Sequence, residues 1–492
     1  MRRRHFFATI PAAAIVAAGQ AQEGSVPGGA QYVTEPQKRV PVTYDVDVVV
    51  AGGGVAGICA AIAAGRNGAK TVLVDRLATV GGIWGPGYKP GGGTQAPGPY
   101  KEKEKSGRYD KGAGGYPAIW VYPEIAGISK EFTLRIEKNS DVMRLSQASA
   151  VSYTATRMLQ EAGVRLLVST YAADPIMTGN TVQGLFVENK SGRSALKAKV
   201  VIDATGEADV ARRAGAPALY PKETYSLVDS HSPNGFGLMT IVGGIDWTRL
   251  PKEAAPFPGR ELSGGKGTLR DVRLFHRMTP HDNLATFNMQ LKDPEPPLLD
   301  YAKLNAGDGK DMSQLETEMR LFIFDAVQHF KQTVPGCENV FIVSISSYLG
   351  LRGGPCIEGE YVMRLEDAKA GKQFDDVIYV FGENRALQQT CLKEGRCKWV
   401  DVPYRVMVPK KIDGLLAVGR SASGIPDTVL RNVMAVQHMG QAGGTAAALS
   451  AKSGIRVRDL KVKELQKKLL EAGFYLGDEG RHVVEDSLLA RV

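Results

Sequence analysis

The stretch DVDVVVAGGGVAGICAAIAAGRNGAKTVLVDR, residues 45–76, changes its hydrophobic period twice. An unbroken apolar run at 46–51, closed by glycines, predicts a strand covered on both faces, as in a parallel sheet. Small apolar residues at about 55–67 predict a closely packed helix. A second apolar run at 70–75 predicts a strand that ends in an acid. Residues 48–65 are also an uncharged run that a hydropathy scan reads as membrane-spanning. Gly52-Gly53-Gly54 at its centre makes a poor spanning helix and a good strand–turn–helix.

Further along, the pattern alternates between short strands, helices and loops. Residues 22–43 are polar and proline-bearing, a linker. GGIWGPGYKPGGGTQAPGPYKEKEKSGRYDKGAGG (81–115) is a long Gly/Pro/Lys loop, either a cover or an insertion. A helix near 145–162 precedes strands at 164–171, 182–189 and 195–206, separated by TGN and KSGR turns. Residues 220–395 are mixed, richer in prolines and aromatics, and carry no nucleotide signature. IDGLLAVG (412–419) predicts one more buried strand. A small-residue helix at 434–454 and an amphipathic closing helix at 457–473 complete the pattern, and no internal repeat is present. The domain plan is 44–219, an inserted 220–395, a return at 396–456, and a helix and tail at 457–492.

A chain of 492 residues is too long for one compact domain, and its 57 glycines favour loops and close backbone approaches. MRRRHFFATIPAAAIVAAGQAQ has the basic start, short apolar stretch and small-residue end of a signal peptide cut after Ala21. Arg3-Arg4-His5-Phe6-Phe7 resembles a twin-arginine signal, which exports proteins already folded; a general secretory signal is the alternative. The expected location is periplasmic or extracellular. Three of the positive charges behind a net +9 sit in Arg2, Arg3 and Arg4. Elsewhere the bases mix with acids, as in KEKEK (101–105), which is solvated surface and argues against nucleic acid. The apolar stretch from about Phe6 to Ala18 is too short to span a bilayer, so no stable membrane insertion is expected. Of the five cysteines, Cys59 reads as core, Cys391 and Cys397 are close enough to pair, and Cys337 and Cys356 stand apart. The spacings give no iron–sulfur or zinc signature, so no metal is expected.

Gly52, Gly54 and Gly57 satisfy G-x-G-x-x-G between the first strand and helix. Gly52 suits a tight turn, Gly54 lets a pyrophosphate approach the backbone, and Gly57 lets helix and strand pack closely. Asp75, with Arg76 beside it, ends the next strand in place to accept from ribose hydroxyls. A glycine turn in an empty α/β domain is the plain alternative. The stretch predicts a dinucleotide and leaves open whether it is a nicotinamide or a flavin.

Gly81-Gly82, VVIDATGEADVARRAGAP (200–217), GEYVM (359–363), VPYRVMVPKKIDGLLAVGRS (402–421) and MGQAGGTAAALSAKSG (439–454) narrow that choice. Through them the chain resembles FAD-dependent oxidoreductases of the glutathione-reductase-like flavin fold. More narrowly, it resembles a bacterial, often exported family distantly related to fumarate reductase flavoproteins. The resemblance implies an α/β fold, with a Rossmann-like FAD-binding domain, a β-meander and an inserted α+β substrate domain. It implies that Gly52, Gly54, Gly57 and Asp75 serve the ADP half of FAD, and that Arg76, Gly81 and Gly82 are cofactor-binding as well. Thr205 and Gly206 would pass near the pyrophosphate, and Gly419, Arg420 and the helix containing Met434 would meet the ribityl chain and ring. Where the family has an RESRR-like run, this chain has LRGGPCIEGEY (351–361), so only Arg352 of those arginines remains, with Pro355 and Cys356 in the run. No histidine follows Gly81-Gly82 closely, so covalent flavin attachment is not expected.

FAD implies hydride chemistry, which needs a nearby proton acceptor. His438 is the candidate base, a packed helix histidine being the alternative, and Arg431 the candidate clamp for a carboxylate or the flavin. Arg352, Tyr361, Tyr404 (beside Arg405) and His276 are candidate substrate residues, and Trp84 and Tyr88 wall the flavin or pack the loop. The expected function is hydride transfer between a small organic substrate and flavin N5, a dehydrogenase in preference to an oxidase. A quinone, a redox protein or oxygen would accept the electrons, since an exported enzyme has no assured nicotinamide pool. A non-catalytic flavin-binding or docking protein and an NAD(P)-dependent dehydrogenase are the alternatives.

Overall fold

Alternating strands and helices at 42–74 wind into a parallel sheet. The computed structural model describes residues 33–87, 126–140, 147–220, 236–251, 259–265, 268–278, 281–292, 304–351, 354–381, 400–424 and 433–477. The signal peptide, most of the Gly/Pro/Lys loop, Tyr88, Arg352, Cys391, Cys397 and Arg431 lie outside them. The compact unit starts at Val40.

In chain order the first elements are β1 (Val42–Ala51), α1 (Val55–Arg66), β2 (Thr71–Val74), α2 (Gly127–Ser140), α3 (Gln147–Glu161), β3 (Arg165–Leu167), β4 (Tyr171–Thr178), β5 (Thr181–Asn189), β6 (Gly192–Asp203), α4 (Asp209–Arg213) and β7 (Ala218–Leu219). The second group is β8 (Phe236–Gly243), β9 (Arg260–Glu261), β10 (Thr268–Met278), β11 (His281–Lys292), α5 (Gly309–Thr333), β12 (Phe341–Ile345) and β13 (Gly350–Leu351). The chain ends with β14 (Cys356–Ile357), α6 (Leu365–Ala370), β15 (Val377–Phe381), β16 (Val400–Pro403), β17 (Leu415–Ala417), α7 (Val433–Ser453) and α8 (Val462–Glu471).

The first sheet runs β3-β2-β1-β6-β5-β4, with β17 also on β6. β3, β2, β1, β6 and β17 are parallel. β4, β5 and the start of β6 form an antiparallel meander. The long β6 therefore belongs to both: Gly192 pairs in the meander, and Val201, Ile202 and Asp203 sit between β1 and β17. Such parallel strands are buried on both faces, which is why Val48, Val49 and Val50 are all fully buried without alternation.

Helix α1 is made of small residues because it is sandwiched. Residues 56–64 are all buried, and α7 crosses directly over them. A Cβ on Gly440 would lie 2.1 Å from the Ala56 carbonyl oxygen, and one on Gly444 2.0 Å from that of Ala60. Only glycine permits this spacing. The same core takes in Ile378, Tyr379 and Val402 of the β15–β16 hairpin and Met363, while Ile357 packs on the opposite face of the sheet. The boundary expected at 396 therefore moves back to near 357: hydrophobic contact, invisible in local composition, returns the chain to the first layer earlier.

The second sheet, β12-β8-β11-β10-β9 with β13 on β8, has its own core. Helix α5 covers one face through Leu315, Met319, Phe322, Ile323, Ala326 and Phe330, and Phe330 meets Phe287 edge-on. Asp308 caps α5 by accepting from the Lys310 and Asp311 N–H groups. Because strand residues alternate, Leu238 and Val242 of β8 join that core while Gly237 and Met239 line the cavity described below.

Candidate active site

In open α/β sheets ligands gather outside the carboxyl ends of the parallel strands, where loops diverge. Here the loops leaving β1, β2, β6 and β17 line one cavity with Gly52, Gly54, Asp75, Arg76, Thr205, Gly206, Gly419 and Arg420. Gly82, Ile83, Trp84 and Gly87 contribute a side, and Gly237, Met239, Tyr348, Leu349, Gly350 and Leu351 bring in the second domain.

The glycine loop is shaped by close contact. Gly52 has φ +108° and a Cβ there would lie 2.4 Å from the Ala204 carbonyl oxygen, so the turn presses on the loop after β6. A Cβ on Gly57 would stand 1.9 Å from the Gly52 carbonyl oxygen, closing the turn against α1. Gly54 differs: it lines the cavity, and beyond its own neighbours in the chain no described atom lies within 4 Å of a Cβ built on it. It is the N-cap of α1 and supplies no side chain to the orphan N–H groups of that helix. Open backbone at a helix N-terminus is the arrangement that receives a phosphate.

Asp75 holds the loop and faces the cavity. Its Oδ2 accepts from Gly53 N–H and its Oδ1 from Leu77 N–H at 2.7 Å, and each oxygen keeps a second lone pair. Burial pushes its carboxyl above the ordinary aspartate value, against the pull of those two N–H groups. Gly81 N–H donates to the Gly53 carbonyl at 2.9 Å, tying the second glycine pair to the first.

The loop after β6 is fastened by Asp203, which is fully buried. Its Oδ1 accepts from the Thr205 N–H at 3.0 Å and hydroxyl at 2.6 Å, and its Oδ2 from Ala211 N–H at 2.8 Å. Burial raises this carboxyl too. Ser421 Oγ accepts from Gly206 N–H at 2.9 Å and Ala208 N–H at 3.1 Å, so the loops after β6 and β17 form one frame. On it the Arg420 guanidinium pairs with Glu207, which burial pushes upward while Arg420 pulls it down.

The expected site residues thus fall into three groups. Gly52, Gly54, Asp75, Arg76, Gly82, Thr205, Gly206, Gly419 and Arg420 converge on the cavity. Gly57, Gly81 and Met434 stand behind it; Met434 is fully buried, with Ser129 Oγ 3.8 Å from its sulfur, while Val433 and Val436 take the cavity side of α7. His438, Tyr404 and Tyr361 lie elsewhere, which corrects the roles expected for them.

His438 is 4% exposed, packed between Tyr379 and Phe474. Its Nδ1–H donates to the Met434 carbonyl at 2.9 Å and its Nε2 accepts from Ala126 N–H at 3.2 Å, the neutral tautomer these partners require. Burial lowers its pKa to about 4. Tyr404 is buried with its hydroxyl donated to the Val457 carbonyl at 2.9 Å, bracing the strand. Tyr361 packs against Phe374 and accepts from Lys372 at 2.7 Å, beside Arg405, which pairs with Asp376. His276 occupies β10 opposite Thr286, in the second sheet.

Several lining residues had no sequence-level signal. Thr170, Tyr171 and Ala172 come from the start of the meander, and Met239 and Tyr348 from the second domain. Glu207 was legible in retrospect as an acid immediately after Ala204-Thr205-Gly206. Among the described residues there is no His/Cys/Asp/Glu group that could hold a metal and no helix long and apolar enough to cross a membrane, and Cys59, Cys337 and Cys356 are buried.

The cavity suits FAD in its donors as well as its walls. Trp84, 3% exposed, lines it and its indole N–H has no acceptor among the described residues. With open N–H groups at α1 and a carboxylate at the end of β2, the fold and site define a flavoprotein of the Rossmann type, and its cofactor is FAD. Residues 47–469 match the FAD dependent oxidoreductase family, and the chain belongs to that family. It is similar to thiamine thiazole synthase of Methanococcus maripaludis, 27% identical over 173 residues that make up 33% of this chain and 56% of that protein. The protein of the same name from Pyrococcus horikoshii is 25% identical over 171 residues, 33% of this chain and 58% of that one. The chain therefore spans little more than half the length of these relatives. Among solved structures it is similar to a geranylgeranyl bacteriochlorophyll reductase-like protein from Thermoplasma acidophilum (TM-score 0.42, 15% identity, 88% of this chain and 84% of that chain).

Proposed function

We propose that this chain is an exported FAD-dependent dehydrogenase that moves a hydride from a small organic substrate to the flavin. The observation that carries this reading is the second-domain wall of the cavity, where Gly237, Met239, Leu349 and Leu351 line the same space as the glycine loops. A binding or docking protein has no need for a second layer there; an enzyme needs a place to hold substrate and exclude water.

When bound, FAD supplies the hydride acceptor. The chain's own residues would hold it: the α1 N-terminus and Gly54 would favour its phosphates, and Asp75 would accept hydrogen bonds from its ribose hydroxyls. The Glu207–Arg420 pair is spent on itself and serves the frame rather than proton transfer. With His438 out of reach, the proton acceptor is another group. Arg431 and Arg352, retained from the family pattern, are the cations proposed to meet an anionic substrate. The electrons would leave to a quinone, a redox protein or oxygen, as suits an exported enzyme.

The test is a visible spectrum of the purified protein, followed by anaerobic addition of alcohols, hydroxy acids and amines. Flavin bands that bleach with one class support the dehydrogenase; bands that dithionite bleaches and no organic donor does favour the docking alternative. Export is tested separately by Arg3→Lys with Arg4→Lys in the full chain. Cytoplasmic retention supports the twin-arginine route, and undiminished export overturns it.

A further inference from the structure

Tyr348 belongs to the second domain, yet it reaches the heart of the nucleotide loops. A Cβ built on Gly82 would lie 2.9 Å from Gly54 Cα, 3.6 Å from the Tyr348 hydroxyl and 3.8 Å from Val55 N. The hydroxyl therefore stands around one small space with Gly54 and the first N–H of α1. Both Gly54 and Tyr348 line the cavity. The hydroxyl has no hydrogen-bond partner among the described residues, while Arg76 stacks on its ring with the guanidinium carbon 5.7 Å from the centroid.

The segment that carries Tyr348 is clamped on three sides. Ser346 N–H donates to the Met239 carbonyl of β8 at 2.9 Å, and Ser347 N–H donates to the Pro86 carbonyl at 3.1 Å. Arg320 of α5 donates to the Ser346 carbonyl at 3.0 Å and the Ser347 carbonyl at 3.1 Å. Glu316 of α5 accepts from Leu349 N–H at 2.6 Å, and Ser346 Oγ donates to the Tyr348 carbonyl at 3.1 Å. A backbone held this firmly places the phenol ring in advance, so little ordering of the segment is left for ligand binding to do.

We propose that Tyr348 is a cofactor-binding residue contributed by the second domain, donating its hydroxyl hydrogen bond to the FAD pyrophosphate opposite the α1 N-terminus. Gly82 is glycine because of its φ of +57° and its close approach to Gly54, where a Cβ would lie 2.9 Å from the Gly54 Cα, and the phenol stands at ordinary contact distance beside it. Burial pushes the Tyr348 hydroxyl upward, so it stays a donor across the working pH range. Nearby Glu207 is neutralised by Arg420, which keeps its charge from opposing a phosphate. The consequence is a link between domains: the second domain holds the cofactor as well as the substrate.

The experiment titrates FAD into apoprotein of wild type and Tyr348→Phe by fluorescence quenching, then records the ³¹P spectrum of the bound FAD. Phenylalanine keeps the ring and its stack with Arg76 and removes only the O–H, and the apoprotein melting temperature is expected to stay unchanged. The expected result is FAD affinity weaker by about 10- to 100-fold, the range for one hydrogen bond to a charged acceptor, with a displaced pyrophosphate resonance. An unchanged ³¹P spectrum overturns the proposal whatever the affinity. Tyr348→Ala, which also removes the ring, separates packing: if Phe behaves as wild type and only Ala weakens binding, the ring matters and the hydroxyl does not. Wild-type protein that takes up no FAD at all would overturn the cofactor assignment itself, and the proposal with it.

Discussion

The Arg420 guanidinium pairs with the Glu207 carboxylate against Gly206, where a Cβ would stand only 2.5 Å from Arg420 Nη2. The pair joins the loops that leave β6 and β17. Arg420→Ala would strand a buried carboxylate, a loss on the order of 3–5 kcal/mol, read by urea denaturation of the apoprotein. Burial already raises the Glu207 pKa, and losing the arginine raises it further. The folded protein then binds that proton more tightly than the unfolded chain, so the variant is relatively better at low pH and loses stability as pH rises. Adding Glu207→Gln should restore most of the loss. A double variant no better than Arg420→Ala would show the pair to be unimportant.

His438 makes the opposite prediction. Its folded pKa of about 4 lies below the reference 6.5, so its stabilising contribution is complete above pH 6.5 and is lost as pH falls toward 4. The full loss amounts to about 3 kcal/mol. Unfolding free energies at several pH values should show this slope in wild type and lack it in His438→Leu. Flavin reduction by a good donor should survive the substitution wherever the variant is folded. A variant that folds, holds FAD and cannot be reduced by that donor would return His438 to the chemistry.

Gly440→Ala and Gly444→Ala should each cost about 1–3 kcal/mol, because the new methyl group meets the α1 backbone rather than a side chain that can move. Displacing α1 moves the N-terminus that receives phosphate, so FAD affinity should fall in parallel. Gly309→Ala, with open space around its Cβ, should stay within about 0.5 kcal/mol of wild type. Melting curves with and without FAD measure both effects.

Asp75→Ala removes the acceptor for two backbone N–H groups, Gly53 and Leu77, at the turn that faces the nucleotide. FAD affinity should drop by about 10-fold or more, one or two hydrogen bonds' worth. Equilibrium dialysis of the flavin gives the number. Unaltered affinity would show that Asp75 braces nothing the cofactor needs.

Local pattern was enough to specify the nucleotide half. Residues 46–51, Gly52, Gly54, Gly57 and Asp75 state a strand, a turn, a helix start and an acid within a short span, because each rests on neighbours in the chain. Thr205-Gly206 and Gly419-Arg420 were readable through their likeness to a family, and they meet only because β6 and β17 pair. What tertiary structure alone decided was the company each residue keeps. His438 sits one helical face away from the cavity that Val433 and Val436 reach, and a sequence does not state which face of an apolar, small-residue helix turns to a site. Tyr348 is nearly three hundred residues from Gly54 in the chain, and no local signal marks it. Its position depends on a second sheet and on a segment clamped by Glu316, Arg320 and Met239, contacts that exist only once the two layers have packed.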